Sequence, residues 1–192
     1  VRLAFPLGGV GIALYAASNG YGLFNQIAIV PWLAGVISFL ALDLLIYGQH
    51  RLFHAIPLFW RLHRMHHADT ELDSSSGFRF HPLEIILSML IKAAAILVLG
   101  IPALAVIIFE IVLNATSLFN HSNIKIPAKA EPLLRLFVVT PAQHVIHHSI
   151  DIRETNANFG FNLPWWDWLF GTYTAKPQKG YDGMTIGLAA FR

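Results

Sequence analysis

Residues 83–118 read LEIILSMLIKAAAILVLGIPALAVIIFEIVLNATSL, and this stretch decides the fold. Two apolar arms, 83–99 and 102–118, flank Gly100-Ile101-Pro102. Each arm is about 25 Å long if helical, close to a hydrocarbon core of roughly 30 Å. Glycine and proline interrupt the pattern between them, and Pro82 suits a first helical turn. The expectation is a tight helical hairpin that enters a membrane and comes back. Lys92 lies nine residues before Ile101 and Glu110 nine after it, so the two fall at matching depth. An unpaired charge there is costly, which predicts an intramembrane ion pair. The alternative is that one of them lines a cavity.

Working outward, residues 27–47 are apolar except for Asp43 and long enough to span. Residues 3–17 form a shorter apolar stretch, and 18–26 an uncharged loop of turn-like composition. The 192 residues are 55% hydrophobic and 12% charged, with mean hydropathy +0.55. Soluble domains carry about 25% charged residues, so the chain falls in the membrane class. It contains no cysteine, which excludes disulfides, thiolate metal sites and iron–sulfur clusters. Net charge +2 is too mild to argue for nucleic acid. The expected organisation is a single domain over 1–192, with its N-terminus processed or truncated because it begins with Val1. No signal-peptide pattern is visible.

Charge placement orients the spans. Apart from Lys92 and Arg2, every Lys and Arg, from Arg51 to Arg192, falls in segments assigned to one side, and Arg2 joins them if residues 3–17 span. The opposite side, 18–26 and the hairpin tip, has none. The positive-inside rule puts the first side in the cytoplasm.

All ten histidines lie on that side. His50 and His54 form H-x-x-x-H. His63, His66 and His67 form H-x-x-H-H, and His144, His147 and His148 repeat it. His81 and His121 stand alone. Residues three or four apart share a helix face, so His50 and His54 can grip one ion. Adjacent pairs splay by about 100°, so His66 and His67, like His147 and His148, can face two different ions. Ten imidazoles match two ions with about five ligands each, and imidazole suits iron, copper, nickel and zinc.

These motifs resemble the fatty acid hydroxylase / sterol desaturase superfamily of membrane di-iron oxygenases. The resemblance covers about residues 43–173. It runs through Asp43, Tyr47, His50-x-x-x-His54, His63-x-x-His66-His67 and Arg79-Phe-His81-Pro82-x-Glu84. It continues through Asn120-His121-Ser122-Asn123, His144-x-x-His147-His148, Asn158-Phe159-Gly160 and Trp166-Asp167-x-Leu169-Phe170-Gly171-Thr172. The chain looks most like bacterial members and is similar to the alkylglycerol monooxygenase branch. The resemblance implies an all-α integral membrane protein with about four membrane helices, including the hairpin 83–118, under a cytoplasmic helical cap. A catalytic core over about 43–173 would hold two iron ions on the eight histidines of the three clusters, with His81 and His121 at matching positions. Such an enzyme hydroxylates a lipid C–H bond with O2, or desaturates it with the same site. The 192 residues carry no cytochrome b5 or ferredoxin domain, so a separate cytochrome b5-, ferredoxin- or pterin-type electron donor is expected. The implied location is the bacterial inner membrane, with the lipid bilayer as surroundings and source of substrate.

Other residues have two readings each. Asp43, two turns before His50, either orients a ligand histidine or makes a helix-packing contact, with Tyr47 as a relay between them. Glu84 is either a first-turn acid or a support for His81. Asp69, Glu71 and Asp73 read as a solvated loop, with Asp69 as an outer-shell candidate beside His67. Asn158 and Asp167 match family positions that orient ligands or hold the cap together. Trp165, Trp166 and Trp168 with Phe159, Phe161 and Phe170 form an interfacial belt or cap core, or else a wall of the substrate channel.

Two other functions compete. A membrane metal transport or storage module predicts histidines inside the spans, whereas these lie outside the long apolar runs. A catalytic zinc hydrolase takes three protein ligands and a water, for which ten histidines are excessive.

Overall fold

The structure, a computed structural model, describes residues 5–191. Arg2, Arg192 and the start of the 3–17 stretch lie outside them. The helices in chain order are α1 (Phe5–Ser18), α2 (Pro31–Ala55), α3 (Pro57–His63), α4 (Pro82–Leu99), α5 (Ala103–Asn120), α6 (Glu131–Leu134), α7 (Pro141–His147), α8 (Ile152–Thr155), α9 (Trp165–Leu169) and α10 (Gly180–Gly183). No strand occurs among the described residues; Ser149 and Ile186 form an isolated antiparallel bridge. The expected all-α class holds.

The chain divides into two units. The first comprises 1–45 and 82–113. Here α4 and α5 form the hairpin expected from the sequence. The helix α4 stops because Gly100 adopts φ 67°, open to glycine without a Cβ penalty, and the Gly100 and Ile101 N–H groups both turn back to the Ile96 carbonyl. Gly22 packs against that turn so closely that a Cβ on it would lie 2.1 Å from the Gly100 nitrogen. The helix α1 packs along α4, and the buried Ala13 and Ala16 are small residues of the kind that let helix backbones approach. Lys92 Nζ meets Glu110 Oε1 at 2.5 Å, both side chains buried, so the pair expected from equal depth forms.

Among the described residues, three helices are long and apolar enough to cross a membrane: α2, α4 and α5. The expected fourth, α1, has 14 residues in its described part, short of the roughly 17–25 a span requires. The helix α2 begins at Pro31, where proline fits a first turn, rather than at Ile27. It runs on past Tyr47 to carry His50 and His54.

The second unit comprises 46–81 and 114–192. Beyond the ends of α2 and α5, it is built from one- and two-turn helices joined by loops. Such short helices depend on local caps and tertiary contacts. Thr140 caps α7, accepting from the Gln143 N–H at 3.3 Å, with Pro141 in the first turn. Asp151 does the same for α8 at Arg153.

Candidate metal centre

All ten histidines belong to the second unit, and nine of them converge in two adjoining groups. His50, His54, His63, His67 and His147 form one, and His66, His121, His144 and His148 the other. Within each group the ligand-capable atoms lie within 4.8 Å of one another. The groups touch through the stacked rings of His67 and His148, 4.5 Å between centroids. Adjacent histidines divide between them: His66 from His67, and His147 from His148. His81 is half-buried and stands outside both groups.

Hydrogen bonds fix which nitrogen faces inward. His50 Nδ1 lies 2.9 Å from the Phe159 carbonyl, His147 Nδ1 2.8 Å from the Ala157 carbonyl, and His121 Nδ1 2.7 Å from the Ser117 carbonyl. A carbonyl only accepts, so each Nδ1 carries the proton, and in the neutral ring Nε2 then presents a lone pair. His121 Nε2 then lies 3.0 Å from His66 Nε2 and 3.1 Å from His144 Nε2, and His144 Nε2 lies 3.3 Å from His148 Nε2. A neutral imidazole nitrogen has one in-plane proton or one lone pair, so this chain of contacts cannot be satisfied by hydrogen bonds alone. In the five-histidine group, His50 and His63 Nε2 are 3.1 Å apart. Buried Nε2 atoms of His54, His67 and His147 there have no hydrogen-bond partner. Two nitrogens at right angles on one ion, each about 2.1 Å from it, would be about 3.0 Å apart. The donor set therefore fits a cation in each group.

Burial, followed by neighbouring imidazoles, holds His66, His67, His144, His147 and His148 well below the ordinary histidine range. They stay neutral at physiological pH, which is the ligating form.

Aromatic rings enclose the centre. Phe159 packs edge-on to His50, His54 and His147. Phe80 stacks on His66 with centroids 4.2 Å apart. Phe80 was not a candidate from the sequence; its place between Arg79 and His81 in the family element was the available signal. Ser117, four residues before His121, was readable only as a helical neighbour.

The remaining candidates are placed as follows. The Tyr47 hydroxyl bonds Thr172 Oγ1 at 2.8 Å. Asp69 accepts from Ser76 Oγ at 2.6 Å and pairs with Arg79, pinning the 69–79 loop. Asp43 and Glu84 are buried and belong to the first unit. Asn158 brackets the chain: its amide donates to the Gln143 and Thr174 carbonyls, and its Oδ1 accepts from the Thr174 N–H. Asp167 is buried and accepts from the Phe159 N–H, the Gly160 N–H and the Thr172 hydroxyl. Burial pushes its carboxyl up to about 6, against the pull of those donors, leaving a carboxylate at neutral pH. Phe161 is buried, whereas Trp165 and Trp168 are exposed.

The profile of the fatty acid hydroxylase family matches residues 35–172, and the chain belongs to that family. It is 30% identical over 141 residues to an ornithine lipid hydroxylase of Rhizobium tropici, covering 73% of this chain and 42% of that protein. It is 28% identical over 174 residues to alkylglycerol monooxygenase of Homo sapiens, covering 90% and 38%. It is 32% identical over 170 residues to a delta(7)-sterol-C5(6)-desaturase of Nicotiana tabacum, covering 82% and 58%. The chain thus spans about two fifths to three fifths of the length of these curated relatives. No solved structure matches it.

Proposed function

We propose that this chain carries the catalytic centre of an O2-dependent lipid hydroxylase that uses two iron ions. The observation that carries the reading is the pair of adjoining groups of histidines, all of them buried except the half-buried His54. His50, His54, His63, His67 and His147 would hold one ion, and His66, His121, His144 and His148 the other. Supplied with O2 and external electrons, such ions provide the oxidant needed to remove hydrogen from an unactivated C–H bond. The chain's own residues supply the rest. Carbonyls of Ala157, Phe159 and Ser117 hold three rings with Nε2 inward, and Phe80 and Phe159 exclude water from the ligands.

The hydroxylase and monooxygenase relatives support hydroxylation of an acyl, ether-lipid or sterol substrate. The sterol desaturase relative favours desaturation as the second reading. The one-sided distribution of Lys and Arg supports a cytoplasmic centre in a multi-pass membrane protein, served by a separate electron donor.

The test is purification with metal analysis, oxygen consumption and lipid profiling of cells with and without the gene. The expected result is about two irons per chain and iron-, O2- and reductant-dependent conversion of one lipid class. A gain of one oxygen marks hydroxylation, and a loss of two hydrogens marks desaturation. His66→Ala and His147→Ala should each abolish turnover. Lipid conversion that continues without O2 would overturn the oxygenase reading.

A further inference from the structure

We propose that Asp167, together with Asn158 and Thr172, positions one of the two metal sites selectively, acting on the five-histidine group through the backbone of residues 157–160. This rests on the metal-centre reading above and adds how the ligand rings are held and which ion depends on them.

The geometry starts with two histidines from distant parts of the chain. His50 belongs to α2 and His147 to α7, yet both donate from Nδ1 to the same short loop, at Phe159 and Ala157. Each of those carbonyls belongs to a peptide plane whose N–H is also held. A trans peptide points its C=O and N–H in opposite directions, so a partner on one side aims the other. The Gly160 N–H donates to Asp167 Oδ2 at 2.8 Å, which directs the Phe159 carbonyl of the same plane at His50. The Asn158 N–H donates to the Thr172 carbonyl at 2.8 Å, which directs the Ala157 carbonyl at His147. The plane between them is held as well, because the Phe159 N–H donates to Asp167 Oδ1 at 2.8 Å.

Asp167 also fixes Thr172, accepting from its hydroxyl at 2.7 Å, while the Thr172 N–H donates to the Asp167 carbonyl at 2.9 Å. Asn158 closes the far side. It adopts φ 52°, a left-handed conformation that asparagine tolerates better than most residues, and its side chain ties the loop to Gln143 and Thr174. Gly160 is required by the same arrangement: a Cβ there would lie 2.7 Å from Asp167 Oδ2 and 2.8 Å from the Leu163 carbonyl oxygen.

Histidine ligands are commonly oriented by a carboxylate bonded to the second ring nitrogen. Here one peptide plane stands between carboxylate and imidazole, and hydrogen bonds in such a chain polarise one another. Both histidines served by the loop fall in the five-histidine group. In the four-histidine group, His121 is held by Ser117, a carbonyl of α5 that Asp167 does not touch.

The test uses the full-length protein, loaded anaerobically with ferrous iron and titrated with a chromogenic ferrous chelator. Asp167→Asn keeps the shape but puts an amide NH2 where an acceptor is needed. One of its two irons should be released about 10–100-fold more readily than in the unaltered protein, the usual range for losing an outer partner. The other iron should be retained with unchanged affinity, and it reports that the fold is intact. Thr172→Val is the milder variant should Asp167→Asn not fold. It keeps the Thr172 carbonyl, removes one donor to Asp167 along with the partner of the Tyr47 hydroxyl, and should loosen the same iron by a smaller factor. Equal weakening of both irons, or of neither, overturns the proposal. An unaltered protein that binds fewer than two irons instead overturns the di-iron reading on which it rests.

Discussion

Glu110→Gln removes one charge from the pair inside the hairpin and leaves the Lys92 ammonium facing a neutral amide. Both side chains are less than a tenth exposed, at 8% and 6%, so solvent screening takes little away from the interaction. Breaking a buried pair by removing one partner costs about 3–5 kcal/mol, because the remaining charge stays buried. For a chain of about this size each kcal/mol moves the melting temperature by about 2–4 °C. The expected loss is therefore about 6–20 °C on those two scales. The assay is thermal unfolding in detergent micelles, followed by tryptophan fluorescence and by recovery of monodisperse protein. The companion variant, Lys92→Met with Glu110→Leu, removes both charges and should recover most of that loss, since apolar replacements of buried pairs are often neutral or stabilising. A Glu110→Gln melting temperature within about 2 °C of the unaltered protein, less than 1 kcal/mol on the same scale, would refute the reasoning. A double variant as damaged as the single one would show that side-chain packing, rather than charge, is what the pair contributes.

Gly77→Ala should destabilise the second unit by about 1–3 kcal/mol, the range for overpacking, because its Cβ would lie 2.7 Å from the Ser117 carbonyl oxygen that also holds His121. Chemical denaturation checks the stability, and iron content should fall with it; an unchanged unfolding midpoint counts against the close approach. The metal-free protein should lose stability on acidification. His66, His67, His144, His147 and His148 are held below their unfolded value, so the folded state binds fewer protons than the unfolded one. Their contribution is intact above about pH 6.5 and is lost progressively as the pH falls below it. Thermal scans between pH 7.5 and 5, about one unit above the histidine value to 1.5 below, should show a steep decline, and a flat profile would contradict neutral burial.

The hairpin was legible because its signals are local and redundant: two apolar arms, a Gly-Ile-Pro break, and two opposite charges equidistant from it. The division of adjacent histidines between groups was legible for a related reason. The sequence suggested one helix through His63 and His67, but α3 ends at His63 and His66–Ala68 form a 3-10 turn. The rings still diverge, because three residues per turn separates neighbours by about 120° rather than about 100°. The loop contacts were not legible. Carbonyls of Ala157, Phe159 and Ser117 belong to the backbone, which every sequence supplies, and residue type alone does not say which peptide faces an imidazole. Asp167 and Asn158 could be singled out by family position, but action through intervening peptides depends on how the 157–160 backbone is turned, which residue type does not encode. The Tyr47–Thr172 hydrogen bond was not legible either, because helical spacing gives direction along the helix and not the reach of a long side chain.

The placement of Asp167 resolves a tension in the centre. Among the described residues both groups are built only from histidine, and neutral ligands do nothing to offset the charge of the cations they fit. A carboxylate bonded directly to His50 would offset some of it, but it would also bring an anionic oxygen within reach of the ligand shell. An interposed peptide separates these effects. The carboxylate remains buried near the centre and orients the ring, while its oxygens are occupied by the Phe159 and Gly160 N–H groups and the Thr172 hydroxyl. Asp167 would therefore supply negative potential to an ion held there without competing for it. The same cage explains why burial raises its carboxyl only to about 6. A cation in the five-histidine group would lower it further, so loading the site should strengthen the loop that holds its own ligands.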